Sequence, residues 1–308
     1  MLPNKKKNIA LCYILPLILV VGFYAFFRVS ILPYIYTQQA QHQLLTENNQ
    51  TTEIYWKEPD LLADKKYPAI IFLHGIQKDK QGAKAFVRSG LLNEYTKKNF
   101  FSFAVSMSGY GESSGKSDFC GKASQNNLVQ AINFARSQPH VDPNKVAVVG
   151  ISCGASITNV VANSGKINAL VLVSGFYDFK GMYAQWSSNA RTLPSNVMNE
   201  INETIAAEKN IESASTARSS LPISSQYPPT LILVSTKDPI VDPKQSIQLH
   251  QLLDSKGIPN TLELIQDAKH PVPANVWKSK SDKFLEKTLS VKIKLRIYTF
   301  ESRVHYLI

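Results

Sequence analysis

Ser152 stands in the pentapeptide Gly150-Ile151-Ser152-Cys153-Gly154, after the apolar run Val146 to Val149 and before a segment that opens on small residues. A serine on a tight turn from a buried strand into a helix presents its hydroxyl clear of both elements. Glycines on either side suit such a turn, because side chains there would meet neighbouring backbone. The hydroxyl is a weak nucleophile until a base takes its proton and an acid orients that base. In this strand-turn-helix setting the acid and then the base follow on loops after later strands. The segment LILVSTKDPIVDP supplies Asp238, and TLELIQDAKHPVP supplies His270. Ser152, Asp238 and His270 are therefore the candidate nucleophile, acid and base.

Other residues compete for these roles. Asp242 follows Asp238 closely and reads as a residue leading into the next helix, while Asp267 shapes the loop that carries His270. His42, His140, His250 and His305 fall in polar, turn, helical and tail contexts and read as surface or packing residues. An oxyanion developing at Ser152 needs two backbone N–H donors. Cys153, first in the following helix, is one candidate; Ile76, after His74-Gly75, is the other. His74 itself reads as a residue that shapes this loop. Nothing in the sequence calls for a metal or an organic cofactor.

These residues need a scaffold that brings distant loops to one edge. From Thr51 onward, EIYW, PAIIFLH, FFSFAVS, KVAVVGI, ALVLVSG, TLILVST and TLELI alternate with longer helical patterns at 83–98, 124–138, 153–164, 243–256 and 276–289. Near-continuous apolar strands separated by helices indicate a mostly parallel sheet covered on both faces. Both candidate partners of Ser152 then lie at strand carboxyl ends, where sites in open α/β sheets form. Residues 176–229 exceed an ordinary crossover. Within them 196–209 reads as helical, and SSNARTLPS and the stretch closing on LPISSQYPP read as loops, so an insertion overhanging the sheet edge is expected.

FLHG at 72–75, SGYGESSG at 108–115, HVDPNKVAVVGISCGAS at 140–156, LILVSTKDPIVDP at 231–243 and DAKH at 267–270 occur in this order. Together they resemble the dienelactone-hydrolase and prolyl-oligopeptidase-like branch of the α/β-hydrolase superfamily over about residues 53–289. The resemblance implies an α/β-hydrolase fold with a lid-like insertion, and hydrolysis of small-molecule esters or amides without a cofactor. Many relatives carry Asp where this chain has Ser106, and Gly where it has Ala155. The expected function is carboxylic ester cleavage through an acyl-enzyme on Ser152. A serine exopeptidase or oligopeptidase, a thioesterase, an acyltransferase and a silent binding protein are the alternatives.

The ends of the chain read differently. Residues 1–8 are basic, and the 19 residues from Ile9 to Phe27 are uncharged. At 1.5 Å per residue they nearly span a hydrocarbon core of about 30 Å, so a transmembrane signal anchor over 9–27 is expected, with the lipid bilayer as a partner, in preference to a cleaved signal peptide. Lys5, Lys6 and Lys7 before the span put the N-terminus in the cytoplasm and the catalytic domain (51–289) outside, on a stalk over 28–50. Residues 290–308 form a basic extension, in which 290–297 alternates with strand periodicity.

The net charge of +11 is concentrated at the two ends, +4 within residues 1–28 and +5 within 278–308, which leaves the catalytic body without the basic field that nucleic-acid binding requires. Three cysteines are too few for a disulfide framework. Cys120 and Cys153 could pair in an exported domain, but separate thiols are the preferred reading. Nothing in the sequence indicates an oligomeric state.

Overall fold

The fold was obtained as a computed structural model, which describes residues 20–219 and 223–292. Eight strands form one sheet: β1 (Gln41–Glu47), β2 (Gln50–Lys57), β3 (Tyr67–Leu73), β4 (Phe101–Val105), β5 (Val141–Ile151), β6 (Ala169–Val173), β7 (Thr230–Ser235) and β8 (Asn260–Ile265). Their order is β1-β2-β4-β3-β5-β6-β7-β8. The β1–β2 and β2–β4 pairs are antiparallel and the remaining pairs parallel.

The side-chain period of two sorts the strand residues onto two faces. Ile71, Phe103, Val148, Leu172 and Ile232 join one buried cluster, which also takes in Leu128, Ile157 and Leu249. These last three come from α4 (Lys122–Ser137), α5 (Cys153–Val161) and α9 (Lys244–Ser255). Phe72, Ala104, Val149, Val171 and Leu233 join the other cluster. It is covered by α2 (Lys84–Arg88), α3 (Leu91–Lys97) and α10 (Ala274–Thr288) through Val87, Leu92 and Trp277. Each fully buried aliphatic or aromatic side chain contributes roughly 1.5–3 kcal/mol. Burial on both faces explains the unbroken apolar runs.

Three sequence expectations are corrected. Among the described residues no helix is long and apolar enough to cross a membrane, so the transmembrane helix expected over 9–27, and the bilayer as its partner, are not supported. Residues 9–19 lie outside the described residues. Residues 20–26 are helical, but a π-helical turn at Phe27–Ile31 and then α1 (Leu32–Gln39), which closes on polar residues, follow directly.

The expected stalk is also partly structured. His42 to Glu47 pair with β2, and Asn48 and Asn49, both at positive φ, make the two-residue turn between the strands. A strand that leaves its side chains mostly exposed at a sheet edge has no alternation to betray it. His42, expected to be bland, stacks on Tyr55 with centroids 4.4 Å apart and lies 3.4 Å from the buried Glu53 carboxylate.

Finally, Cys120 and Cys153 are joined in a disulfide with their Cα atoms 5.6 Å apart. Cys153 opens α5 and Cys120 precedes α4. The two helices pack side by side on one face of the sheet, which brings their N-terminal ends together. The strand periodicity over 290–297 falls largely outside the described residues.

Candidate active site

Each candidate side chain stands just past the carboxyl end of a strand. His74, Gly75 and Ile76 follow β3, Ser152 follows β5, Asp238 lies three residues beyond β7, and His270 lies five beyond β8. The parallel register of β3, β5, β6, β7 and β8 brings these ends to one edge.

Ser152 adopts φ 55° and ψ −122°, a conformation L-residues rarely hold. It is over-determined by its neighbours. The Ser152 N–H donates to the Val173 carbonyl at 2.8 Å, and the Ser152 carbonyl accepts from Ala155 N–H at 2.8 Å. A Cβ on Gly150 would lie 2.4 Å from the Gly154 carbonyl oxygen, and one on Gly154 would lie 2.4 Å from that of Leu73. The elbow therefore sits flush against α5 and the end of β3. The same Cβ on Gly150 would lie 2.6 Å from the Ala155 Cα.

The Ser152 hydroxyl lies 2.8 Å from His270 Nε2, and His270 Nδ1 lies 2.7 Å from Asp238 Oδ2. Asp238 is wholly excluded from solvent. Its second oxygen, Oδ1, accepts the N–H groups of Ile240 and Val241, both at 2.9 Å. With Asp238 as acceptor, the ring carries its proton on Nδ1 and leaves Nε2 free to accept from the serine. A hydroxyl, an imidazole and a carboxylate in this chain can move a proton from nucleophile to ring and stabilise the resulting imidazolium.

The competing acids face elsewhere. Asp242 is engaged by Gln185 Nε2 at 3.2 Å, Arg191 at 3.5 Å and the Lys244 N–H at 3.0 Å. Asp267 is exposed and pairs with Lys237. His250 contacts Asn260 and Asp254. His305 lies outside the described residues.

His74 is buried. Its Nε2 accepts the Met107 N–H at 3.1 Å, and its Nδ1 lies 2.7 Å from the Gly75 carbonyl oxygen, to which it donates. Burial pulls its pKa down from the ordinary histidine value to about 4, against the partial support of that carbonyl. The neutral ring thus fastens the loop after β3 to the loop after β4. Gly75 passes so close that a Cβ there would lie 2.8 Å from Ser152 Cβ. Ile76 and Cys153 face the same cavity as Ser152 and His270.

Ser106 accepts the Ala83 N–H at 2.7 Å and donates to Glu53. The buried Glu53 on β2 places an acid beside the same loop.

The insertion contains α6 (Phe179–Ser187), α7 (Ser195–Ala207) and α8 (Ile211–Arg218). Two of these helices, α6 and α8, fall wholly or partly where loops or no element were expected. The insertion overhangs Ser152 and closes a cavity of about 160 Å³ that is lined also by Ile76, Phe119, Ile240 and Val241. Phe176, Trp186, Leu193, Pro194 and Val197 are its contribution. Among the described residues no Asp, Glu, Lys or Arg lines the cavity. Trp186 Nε1–H donates to the Ile240 carbonyl at 2.9 Å, and Arg191 donates to the Asp238 carbonyl. The lining residues contributed by the insertion were not singled out from the sequence. The aromatic residues clustered at 176–186 were the one signal that could have found them.

An eight-stranded, mostly parallel sheet with a serine elbow and a histidine and an acid on later loops defines the α/β-hydrolase class of serine hydrolases. Residues 108–291, more than half of the chain, match the model of the prolyl oligopeptidase family, and the protein belongs to that family. No curated protein sequence matches the chain significantly.

Among solved structures it is similar to a thermophilic esterase from the Planctomycetes species Thermogutta terrifontis with butyrate bound, with TM-score 0.64 and 15% identity over 83% of this chain and 96% of that one. It is also similar to a puromycin-hydrolysing peptidase from Mycobacterium tuberculosis, with TM-score 0.65 and 18% identity over 82% of this chain and 40% of that one. An α/β hydrolase from a Medee basin deep-sea metagenome library aligns with TM-score 0.56 and 16% identity over 82% of this chain and the whole of that one. At these identities the likeness is one of fold.

Proposed function

We propose that the protein hydrolyses carboxylic esters with short apolar acyl groups through an acyl-enzyme on Ser152. Ser152 attacks the ester carbonyl while His270 takes its proton, and Asp238 stabilises the imidazolium. The N–H groups of Cys153 and Ile76 hold the tetrahedral oxyanion. His270 returns the proton to the departing alcohol, and water, activated by the same ring, releases the acid.

The apolar cavity against Ser152 carries the choice of substrate. It is small, about 160 Å³, and its lining is apolar, which favours a short uncharged acyl group. A charged peptide terminus placed there would meet no counter-charge and would lose its hydration. Family membership favours amide hydrolysis as the second reading, since the same acyl-enzyme serves both. The bound butyrate of the Thermogutta structure supports the first.

Steady-state rates on 4-nitrophenyl esters from acetate to dodecanoate, beside aminoacyl 4-nitroanilides, test the choice. Esters of short acyl chains should give the highest kcat/KM, with loss of turnover in Ser152→Ala. An anilide turned over more efficiently than every ester would overturn the ester reading. Failure of a fluorophosphonate probe to label Ser152 would leave only a binding role.

The Cys120–Cys153 disulfide further supports a catalytic domain that works in an oxidising, extracytoplasmic compartment. Thiol alkylation of the protein taken from intact cells, before any reduction, should leave both residues unmodified. Quantitative alkylation would argue for a reducing compartment.

A further inference from the structure

Phe119 forms part of the cavity wall, yet it holds φ 42°, and Cys120 after it holds φ 65°. Two consecutive side-chain-bearing residues in the left-handed region persist only where the surroundings over-determine them. Two restraints from different parts of the chain do so. The disulfide ties Cys120 to Cys153, the residue after the nucleophile. On the other side Arg218, at the end of α8, reaches out of the insertion. Its Nε donates to the Phe119 carbonyl and its Nη2 to the Asp118 carbonyl, both at 2.7 Å.

Arg218 is buried, with 1% of its surface exposed. Its remaining donors meet the Glu208 carboxylate at 2.7 and 2.9 Å and the Ala214 carbonyl at 2.8 Å. All five guanidinium hydrogens are thereby used, which is the condition under which a buried arginine is tolerated. The group also lies 5.2 Å from the Phe179 ring centroid. Gly121 completes the fit, since a Cβ there would lie 2.6 Å from Arg218 Nη2. The Phe119 ring is held in turn against Phe176, Phe179 and Trp186, at centroid distances of 6.0, 6.0 and 5.9 Å.

From this geometry we propose that Phe119 sets the acyl-chain length the enzyme accepts, and that Arg218 and the Cys120–Cys153 disulfide are positioning groups clamping its backbone from two sides. The inference rests on the reading of the cavity as an acyl site. A rigid aromatic wall discriminates by excluding methylenes, and each methylene is worth a factor of about 10 or more where a pocket is well defined. Arg218 and Cys120 act through Phe119 without touching substrate, so their loss should alter selectivity by the same route.

The test is a cycle of variants read by kcat/KM on acetate and octanoate esters and by the rate at which alkyl fluorophosphonates of the same lengths label Ser152. Phe119→Ala should raise the octanoate-to-acetate ratio at least about tenfold. Arg218→Met and Cys120→Ala should each raise it in the wild-type background and leave it unchanged in the Phe119→Ala background. Far-ultraviolet circular dichroism confirms folding, and Arg218→Lys, which keeps the charge, replaces Arg218→Met if the latter does not fold.

An unchanged ratio in Phe119→Ala, or clamp effects undiminished without the Phe119 ring, would overturn the proposal. Wild-type protein that hydrolyses no ester yet is phosphonylated at Ser152 would count against the ester reading alone. In that case the labelling rates still decide the role of Phe119.

Discussion

The backbone N–H of Met107 donates to Nε2 of His74 at 3.1 Å, and this contact settles which ring nitrogen carries the proton. Nε2 is occupied as an acceptor, so the hydrogen sits on Nδ1 and goes to the Gly75 carbonyl. A second proton would put a charge on a ring buried away from solvent, in keeping with a pKa depressed to about 4.

The unfolded chain binds a proton at His74 near pH 6.5, well before the folded protein does. The stabilisation from the buried neutral ring is thus complete above about pH 6.5 and is lost as the pH falls towards 4, by about 3 kcal/mol in total. Urea denaturation at pH 7 and pH 4.5 should show a smaller acid-induced loss in His74→Gln than in the wild type. Equal losses in the two proteins would contradict this account.

Asp238→Asn keeps an oxygen for the N–H groups of Ile240 and Val241 but removes the anion that faces His270 Nδ1. A fall in kcat of about 10⁴, with little change in melting temperature, is expected. Asp242→Asn, whose partners are Gln185, Arg191 and the Lys244 N–H, should stay within a few-fold of wild-type turnover. The reverse pattern would reassign the acid.

Ser152 holds a backbone conformation that glycine adopts freely. Relief of that strain in Ser152→Gly should raise stability by about 1 kcal/mol relative to Ser152→Ala, while both variants lose at least about 10⁴ in kcat. Differential scanning calorimetry of the two inactive proteins separates strain from chemistry. Identical melting temperatures would show that the elbow stores none.

Gly154→Ala places a methyl group within 2.5 Å of the carbonyl oxygens of both Leu73 and His74, which are backbone and cannot rotate away. Displacement of α5 from β3 should lower the melting temperature by several degrees and carry Cys153 out of line with Ser152. Turnover should therefore fall much further than stability alone requires. A variant with near-normal kcat would mean that the elbow has more room than these contacts allow.

Much of this arrangement was legible in the chain itself. Five strands announced themselves because burial on both faces makes them largely apolar, as in Ala169–Val173 and Thr230–Ser235, and EIYW and TLELI stood out as shorter apolar runs beside them. The three residues that meet at Ser152 stood just beyond such strands. What stayed hidden depends on tertiary placement. The edge strand Gln41–Glu47 is held by backbone pairing, with side chains that could equally belong to a linker. The apolar segment that read as a span does not form one among the described residues, where the helix passes through a π turn into polar residues. The Cys120–Cys153 bond depends on two helix ends meeting across 33 residues of chain. Arg218 carried no signal either, because the Phe119 and Asp118 carbonyls that it holds lie about a hundred residues away.

The insertion is not a free flap over the cavity. Trp186 Nε1–H donates to the Ile240 carbonyl and Arg191 to the Asp238 carbonyl, so the covering segment grips the backbone that carries the Asp238 carboxylate. The covering segment and the acid loop thus share one stretch of backbone, and a change in either is felt by the other.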